Sequence, residues 1–484
     1  MKKIYPLFCI AAILIYFSAC KIDAPVFPDK PDKPTPVDTT HTDKTIDKAL
    51  LTGWWAPVKP DLNAKLYFGA DNFFFQDTLT KDIAPTAGFW HIAHDTIRYS
   101  QTLTSPSLDI FVVSKLTADS LVVKGGVVTV RYYKINQPPI TSTAISTIAG
   151  TGIDGYTGDG GPATAALISA KAGILVSKTG DIYFCDRSNN LVRKIAAADG
   201  KISTIAGSFG KSGGMYANNS AATDATLAFP VFMAMDAANN IYVTESLGNR
   251  ISKISPDGKI NCIAGCSMFP QQGFSGDGGP ATAAELREPQ GIAVDDAGNI
   301  YFADLSNYRI RKINASDGKI STIAGTGDRN YSGDGGPAIT AGLSVLDLSL
   351  DAAGDIYFTD FTSDRIRKIS KATGIVTTIA GTGARGSTGN GGLATAAKLY
   401  LPFGISIDNK GDIYFAEING GIIRKITKAT GIITKIGGTG FDNFSGDGIH
   451  ATAYSLVGPY DVATDAAGNI YIGEQARIRK IAAN

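Results

Sequence analysis

The chain has 484 residues, 44% hydrophobic and 18% charged, with 45 basic against 44 acidic side chains for a formal net charge of +1. That balance sets up no global field for nucleic acid or for an acidic partner, and the length allows two to four domains. The 55 glycines, with Tyr and Phe far outnumbering Trp, fit many short strands joined by tight turns.

At the N-terminus Lys2 and Lys3 precede an apolar run, Ile4 to Phe17, that is too short for a permanent membrane span. It ends in Phe17-Ser18-Ala19-Cys20. This resembles the lipobox of bacterial lipoproteins, which implies a signal peptide over 1–19 and an acylated Cys20 anchoring the mature chain to a membrane. An ordinary secretory signal with an incidental cysteine is the alternative. By analogy with such lipoproteins, Lys21 after the cysteine favours the outer membrane. Residues 20–46 are rich in Pro, Asp, Lys and Thr and cannot bury enough apolar surface to fold. They read as a tether.

Residues 47–137 follow a different pattern. Seven short alternating segments, from Lys65-Leu-Tyr-Phe68 to the run ending at Tyr133, predict a small antiparallel barrel or sandwich. The opening Gly53-Trp54-Trp55, the central Gly88-Phe-Trp90 and the closing Val130-Arg-Tyr-Tyr133 resemble lipocalin-like domains of secreted bacterial lipoproteins. Such barrels can hold a small apolar ligand, though a chain this short also fits a filled core. His91 and His94 are then surface residues and not metal ligands.

From residue 141 to 484 one phrase recurs six times. Its tyrosine stands at 183, 242, 301, 357, 414 and 471, and such a period marks a solenoid or propeller. Each copy holds four strand-sized segments, in the third copy Gly291–Val294, Asn299–Ala303, Arg309–Ile313 and Lys319–Ala324. Four strands per unit is a propeller blade. A fourth-strand phrase, Ile145-Ser-Thr-Ile-Ala-Gly150, precedes the first copy, and the last copy lacks one. The prediction is an all-β, six-bladed propeller closed by its N-terminal strand, which covers two edges that would otherwise stay open.

Asn299-Ile-Tyr-Phe-Ala-Asp304 with Asn307-Tyr-Arg-Ile-Arg-Lys-Ile313 resembles the NHL repeat. The phrase Gly-Thr-Gly…Ser-Gly-Asp-Gly-Gly-Pro-Ala within 325–338 is shared with bacterial extracytoplasmic NHL propellers and the propeller of teneurins. That resemblance implies a rigid binding platform, a few relatives being enzymes.

Every second strand ends in an acid: Asp186, Glu245, Asp304, Asp360, Glu417 and Glu474. Strand direction puts these on one face with Asp159, Asp277, Asp334 and Asp447 of the inter-blade loops. The acidic rim is either a site for cations, basic peptides or sugars, or architecture in which each acid meets turn N–H groups and an Arg of its own blade such as Arg309. Recurrence in all six blades favours architecture. The Arg-x-Arg-Lys motif falls inside strands, where long stems snorkel between blades, and RNA is not expected of an exported protein.

Gly-x-Gly-x-x-Gly at 150–155 and 381–386 opens no helix and so offers no phosphate site. Pro162-Ala-Thr-Ala-Ala-Leu167 predicts a short helix packing Leu167 over its loop. Cys185, Cys262 and Cys266 imply no disulfide framework and read as small buried residues, Cys262 and Cys266 pairing only where the chain turns sharply.

Signatures of catalysis are missing, and His450 is the propeller's single histidine. No cofactor is called for, although a divalent cation stays open. The acids noted above lie off the channel-lining first strand, which counts against a metal hydrolase. Ligand contacts are expected where the repeat breaks: Met215 and Tyr216 in the second loop, Met268, Phe269, Gln271 and Gln272 in the third, and His450 in the sixth. The reading is a membrane-anchored platform for protein or glycan. The alternative is a lactonase-like, metal-dependent hydrolase or lyase acting at the channel.

Overall fold

The computed structural model describes residues 144–483 apart from 215, 268–271, 441–443, 445 and 449, together with the backbone of eight strands between residues 53 and 134. These eight are β1 (Gly53–Pro57), β2 (Lys65–Phe68), β3 (Phe73–Gln76), β4 (Phe89–Ala93), β5 (Thr96–Ser100), β6 (Leu108–Leu116), β7 (Ser120–Gly125) and β8 (Val128–Lys134). They form one antiparallel sheet in the order β3-β2-β1-β8-β7-β6-β5-β4. The strand count is eight where the sequence predicts seven, because Gly53-Trp-Trp also pairs. Cys20 and the residues predicted as signal peptide (1–19) and tether (20–46) lie outside the described residues.

Residues 144–483 form six sheets. Blade 3 shows the pattern: Pro289–Val294, Ile300–Asp304, Arg309–Ile313 and Ile320–Ala324, paired in chain order and antiparallel throughout. Blade 6 is completed from the other end of the chain. Its third strand, Ile478–Ile481, pairs with Ile145–Ala149, with Ile481 opposite Ile145. The ring is therefore closed by the N-terminal strand.

Blades bury both faces. Phe302 and Ile313 join a core cluster with Val231, Ile251 and Leu286 on the blade 2 side, while Ala303 and Ile310 join Leu348 and Phe358 on the blade 4 side. Alternation along each strand makes this inevitable once both faces are covered. A side chain the size of Phe302, fully enclosed, contributes roughly 1.5–3 kcal/mol.

The recurring tyrosine closes a turn. In blade 3 Asp295 accepts the backbone N–H groups of Ala297 and Asn299, and the Tyr301 hydroxyl donates to its other oxygen at 3.1 Å. The same contact recurs at Tyr242–Asp236, Tyr357–Asp351, Tyr414–Asp408 and Tyr471–Asp465.

Each third-to-fourth strand pair carries a bulge at one position, in blade 3 between Ile310 and Arg311. The extra residue twists the outer strand and re-aims its neighbours. Pro162 opens a 3-10 turn, Ala163–Ala165, and Leu167 packs against the loop at Gly155.

Cys262 and Cys266 are bonded, Cα to Cα 5.7 Å, which corrects their reading as separate buried thiols. The chain bends sharply at Gly265, whose φ of +67° favours glycine. Cys185 is buried and free.

Candidate functional site

Antiparallel pairing puts the end of each second strand, the start of each third and the end of each fourth at one end of the blade. The inter-blade loop crosses that end. In blade 3 the Asn307 side chain donates to the carbonyl of Gly273, and in blade 1 Asn189 does the same to Gly155. This loop face carries the six second-strand acids, but they do not form an open rim.

Asp186, Glu245, Asp304, Asp360, Glu417 and Glu474 are all buried. Asp304 accepts the Arg287 backbone N–H at 2.8 Å, the Asn307 side chain at 2.9 Å and Arg311 Nη1 at 3.2 Å. Arg311 turns its other nitrogen to Asp277 of the loop at 2.8 Å. The partner is thus Arg311 and not Arg309, and its guanidinium is enclosed instead of snorkelling to water. Blades 1 and 4 repeat this acid–arginine–acid chain as Asp186–Arg193–Asp159 and Asp360–Arg367–Asp334. In blade 6 Arg479 meets Asp447 closely and Glu474 at 3.7 Å.

Two blades vary the theme. Blade 5 has Asn390 in the loop, so Arg424 meets Glu417 at 3.1 Å and the carbonyls of Thr388 and Lys398. In blade 2 Ser252 takes the arginine's place, and Arg250, one position outward on the same side, bonds Glu245 at 2.7 Å. Tyr216 fills the gap that leaves, its hydroxyl donating to Glu245 at 3.0 Å beneath the Arg250 guanidinium.

Burial pushes the carboxyls of Asp186, Asp304, Asp360, Glu417 and Glu474 up against the pull of their arginines. Asp186 and Asp360 reach about 6, and Glu417 and Glu474 about 7. Such chains brace the loops. They bury the second-strand carboxylates, and among the described residues no group of three or more metal-binding side chains converges.

The loop residues singled out by broken repeats have different fates. Tyr216 turns inward. Gln272 is exposed and pairs with Leu286 in a parallel bridge. His450 is exposed, accepts the Thr452 backbone N–H at its Nδ1 and bridges to Ala144 at the ring's seam. Met215, Met268, Phe269 and Gln271 lie outside the described residues.

Among its exposed residues the loop face presents large apolar side chains. Ile153, Phe209, Leu247, Phe274, Tyr331 and Phe444 are exposed, all in inter-blade loops or a second-to-third turn. Three of the rings lie under arginines: Arg309 over Phe274 at 3.8 Å, Arg365 over Tyr331 at 3.8 Å and Arg477 over Phe444 at 3.5 Å. Arg309 is pinned by the carbonyls of Asn307 and Thr326, and Arg365 by those of Ser363 and Thr382. Each stack is a flat, ordered surface with an apolar body and donor edges.

The axis holds a second feature that the sequence reading passed over. At one position of the innermost strands the six blades carry Gly173, Phe232, Gly291, Asp347, Gly404 and Asp461. Asp347 and Asp461 are buried and reach across to the next blade, accepting the backbone N–H of Ile405 and of Ile174, each at 2.8 Å. A Cβ on Gly404 would fall 2.0 Å from Asp461 Oδ1, and one on Gly291 2.3 Å from Asp347 Oδ1, so glycine alone admits these carboxyls. No ion pair reaches either among the described residues. Burial raises Asp461 to about 7, and burial together with the charge of Asp461 raises Asp347 well above the usual carboxylate range. The second-strand acids do lie off the channel-lining strand, and Asp347 and Asp461 are two further acids on it. Their signal was present as the acid that replaces glycine at the head of Gly-Ile-Ala-Val in copies 4 and 6.

Comparison with known proteins agrees with this architecture. The model of the teneurin NHL domain matches residues 266–330. Human Teneurin-4 is 30% identical over 270 residues, covering 50% of this chain and 10% of that protein. Chicken (Gallus gallus) Teneurin-1 is 28% identical over 357 residues, covering 67% and 13%. The chain thus spans about a tenth of the length of these relatives. Among solved structures, a structural-genomics protein from Bacteroides thetaiotaomicron superposes with a TM-score of 0.54 at 16% identity, covering 88% of this chain and 98% of that one. An auxiliary nutrient binding protein from the same organism gives 0.51 at 12% identity, covering 90% and 98%. Recurrent phrase, closed ring and these matches make residues 144–483 a six-bladed β-propeller of NHL repeats.

Proposed function

We propose that this chain is a lipid-anchored, extracytoplasmic platform whose loop face binds a protein or a glycan. The observation that carries the reading is the set of exposed apolar side chains on braced loops, Phe209 and Leu247 foremost among them. Aromatic residues on a rigid frame give contact area at small entropic cost, and their stacked arginines add directed donors. The Lys2-Lys3 start and the Ser18-Ala19-Cys20 phrase support export and anchoring at an outer membrane, and the Cys262–Cys266 bond suits an oxidising compartment.

The second reading, a lactonase-like hydrolase or lyase at the channel, draws on Asp347 and Asp461. Against it, both carboxyls are spent on backbone N–H groups and enclosed by glycines with no space for a side chain. Binding of arrayed glycans and of surface-protein extracts to the whole chain, with and without a chelator, separates the two. The platform predicts binding that survives chelation and falls at least tenfold in Phe209→Ser/Leu247→Ser, with melting unchanged. A chelator-sensitive turnover lost in Asp461→Asn would replace it with the enzyme.

A further inference from the structure

Six copies of one unit in a single chain allow each position to be compared around the ring. The first residue of the outer strand, or the residue just before it, bridges to the inter-blade loop in every blade. In blades 1, 2 and 3 that residue is Lys201, Lys259 and Lys319. In blades 4, 5 and 6 it is Ile375, Ile432 and Ala144. Half of the rim is basic and half apolar.

Two further departures fall in the same arc. Leu393 stands where blades 1, 3 and 4 have the bridging prolines Pro162, Pro280 and Pro337. Ile339 stands where the 3-10 turns of the other five blades have threonine. Leu393 is 59% exposed, Ile339 46% and Ile375 37%. Every change replaces a polar or neutral group with an aliphatic one, and each leaves apolar surface in water at a cost that scales with its area.

The chain itself indicates what covers this arc. The N-terminal β domain ends at Lys134 and the propeller begins at Ala144, in blade 6. Ala144 is the rim residue of blade 6, so the domain is tied at the same level as Ile432 of the adjacent blade and Ile375 of the next. Residues 135–143 between them reach at most about 30 Å even when extended. In the other direction round the ring the first residues met are Lys201 and Lys259. The sequence of the domain also carries Phe73-Phe74-Phe75 in an end strand of its sheet, a run that alternation along any strand divides between both faces.

We infer that the N-terminal β domain docks on the outer rim of blades 4 and 5, over Ile339, Ile375, Leu393 and Ile432. Docking there turns two beads on a string into one body and sets the attitude of the loop face relative to the tether. The inference stands on the rim pattern and is independent of what the loop face binds.

The test uses the whole exported chain with a protease recognition sequence placed within residues 136–142. After cleavage the two fragments are expected to co-elute on gel filtration, and Ile375→Lys/Leu393→Lys is expected to separate them. Lys201→Glu, on the basic half, should leave co-elution intact. Both substituted residues are solvent-exposed, so melting of the propeller should not change, and hydrogen exchange at 372–376 and 391–394 should rise in the separated propeller. Fragments that part without any substitution overturn the inference, as does co-elution that survives the double substitution. An uncut chain that elutes as a dimer, and that the double substitution turns into a monomer, overturns it in favour of a second copy on this rim.

Discussion

Asp447 grips Thr147 across the seam of the ring, accepting its backbone N–H at 3.0 Å and its hydroxyl at 2.9 Å over a separation of 300 residues. The same clamp operates within unbroken blades, where Asp159 takes the N–H of Thr204 at 3.0 Å and Asp334 that of Thr378 at 2.8 Å. The ring's two ends are held by the device that holds the outer strands of blades 1 and 4.

Removing the clamp at the seam should therefore cost about what it costs elsewhere. Asp447 is partly exposed, so its pairing with Arg479 is screened. Asp447→Ala and Asp334→Ala are each expected to lower stability in urea unfolding by about 1–2 kcal/mol. A seam variant that melts like the parent, beside a weakened Asp334→Ala, would mean that blade 6 closes by some other contact.

The two arginines of each third strand should differ sharply in their contribution. Arg311 is enclosed against Asp304, and its loss strands a buried carboxylate, so Arg311→Met is expected to cost about 3–5 kcal/mol. Arg309 lies over Phe274 near water, and Arg309→Met should cost below about 1 kcal/mol. Thermal melting of the pair at neutral pH decides the matter, and equal losses would refute the buried chain.

The axis should make stability fall with rising pH. Asp347 and Asp461 hold protons in the folded chain more tightly than an unfolded aspartate near about 3.9. The native state thus binds more protons than the unfolded one, a contribution fully present below about pH 4 and lost as pH rises through about 7. Asp186, Asp360, Glu417 and Glu474 are raised too and act in the same direction. Asp347→Asn/Asp461→Asn should flatten, without abolishing, the decline in melting temperature between pH 5 and 8. An unchanged slope would show that the axial carboxyls do not carry it.

The blade count, the closing strand and the tyrosine of each turn were legible in the residues because they are local and periodic. A turn such as Asp295–Tyr301 is built within seven consecutive residues, so its chemistry repeats whenever its phrase does. The closing strand was legible for a related reason, since a spare fourth-strand phrase at one end matched a gap at the other.

Other features depended on how the blades twist and meet. Alternation told that Arg309 and Arg311 share a face of their strand, but the bulge beside Arg311 and the loop crossing it chose which one meets Asp304. Tyr216 read as a surface residue because nothing near it in sequence shows that Ser252 leaves a space beneath Arg250.

Residue order by itself determined six four-stranded units, their closure into a ring and an acid at the end of every second strand, because strand period and repeat length are properties of the chain. Tertiary structure alone decided that those acids are buried and paired, that Asp347 and Asp461 are enclosed at the axis beside glycines, and that Cys262 joins Cys266. The reason is geometric: each depends on the twist and convergence of separate strands, which bring together atoms whose separation along the chain says nothing of their distance in space.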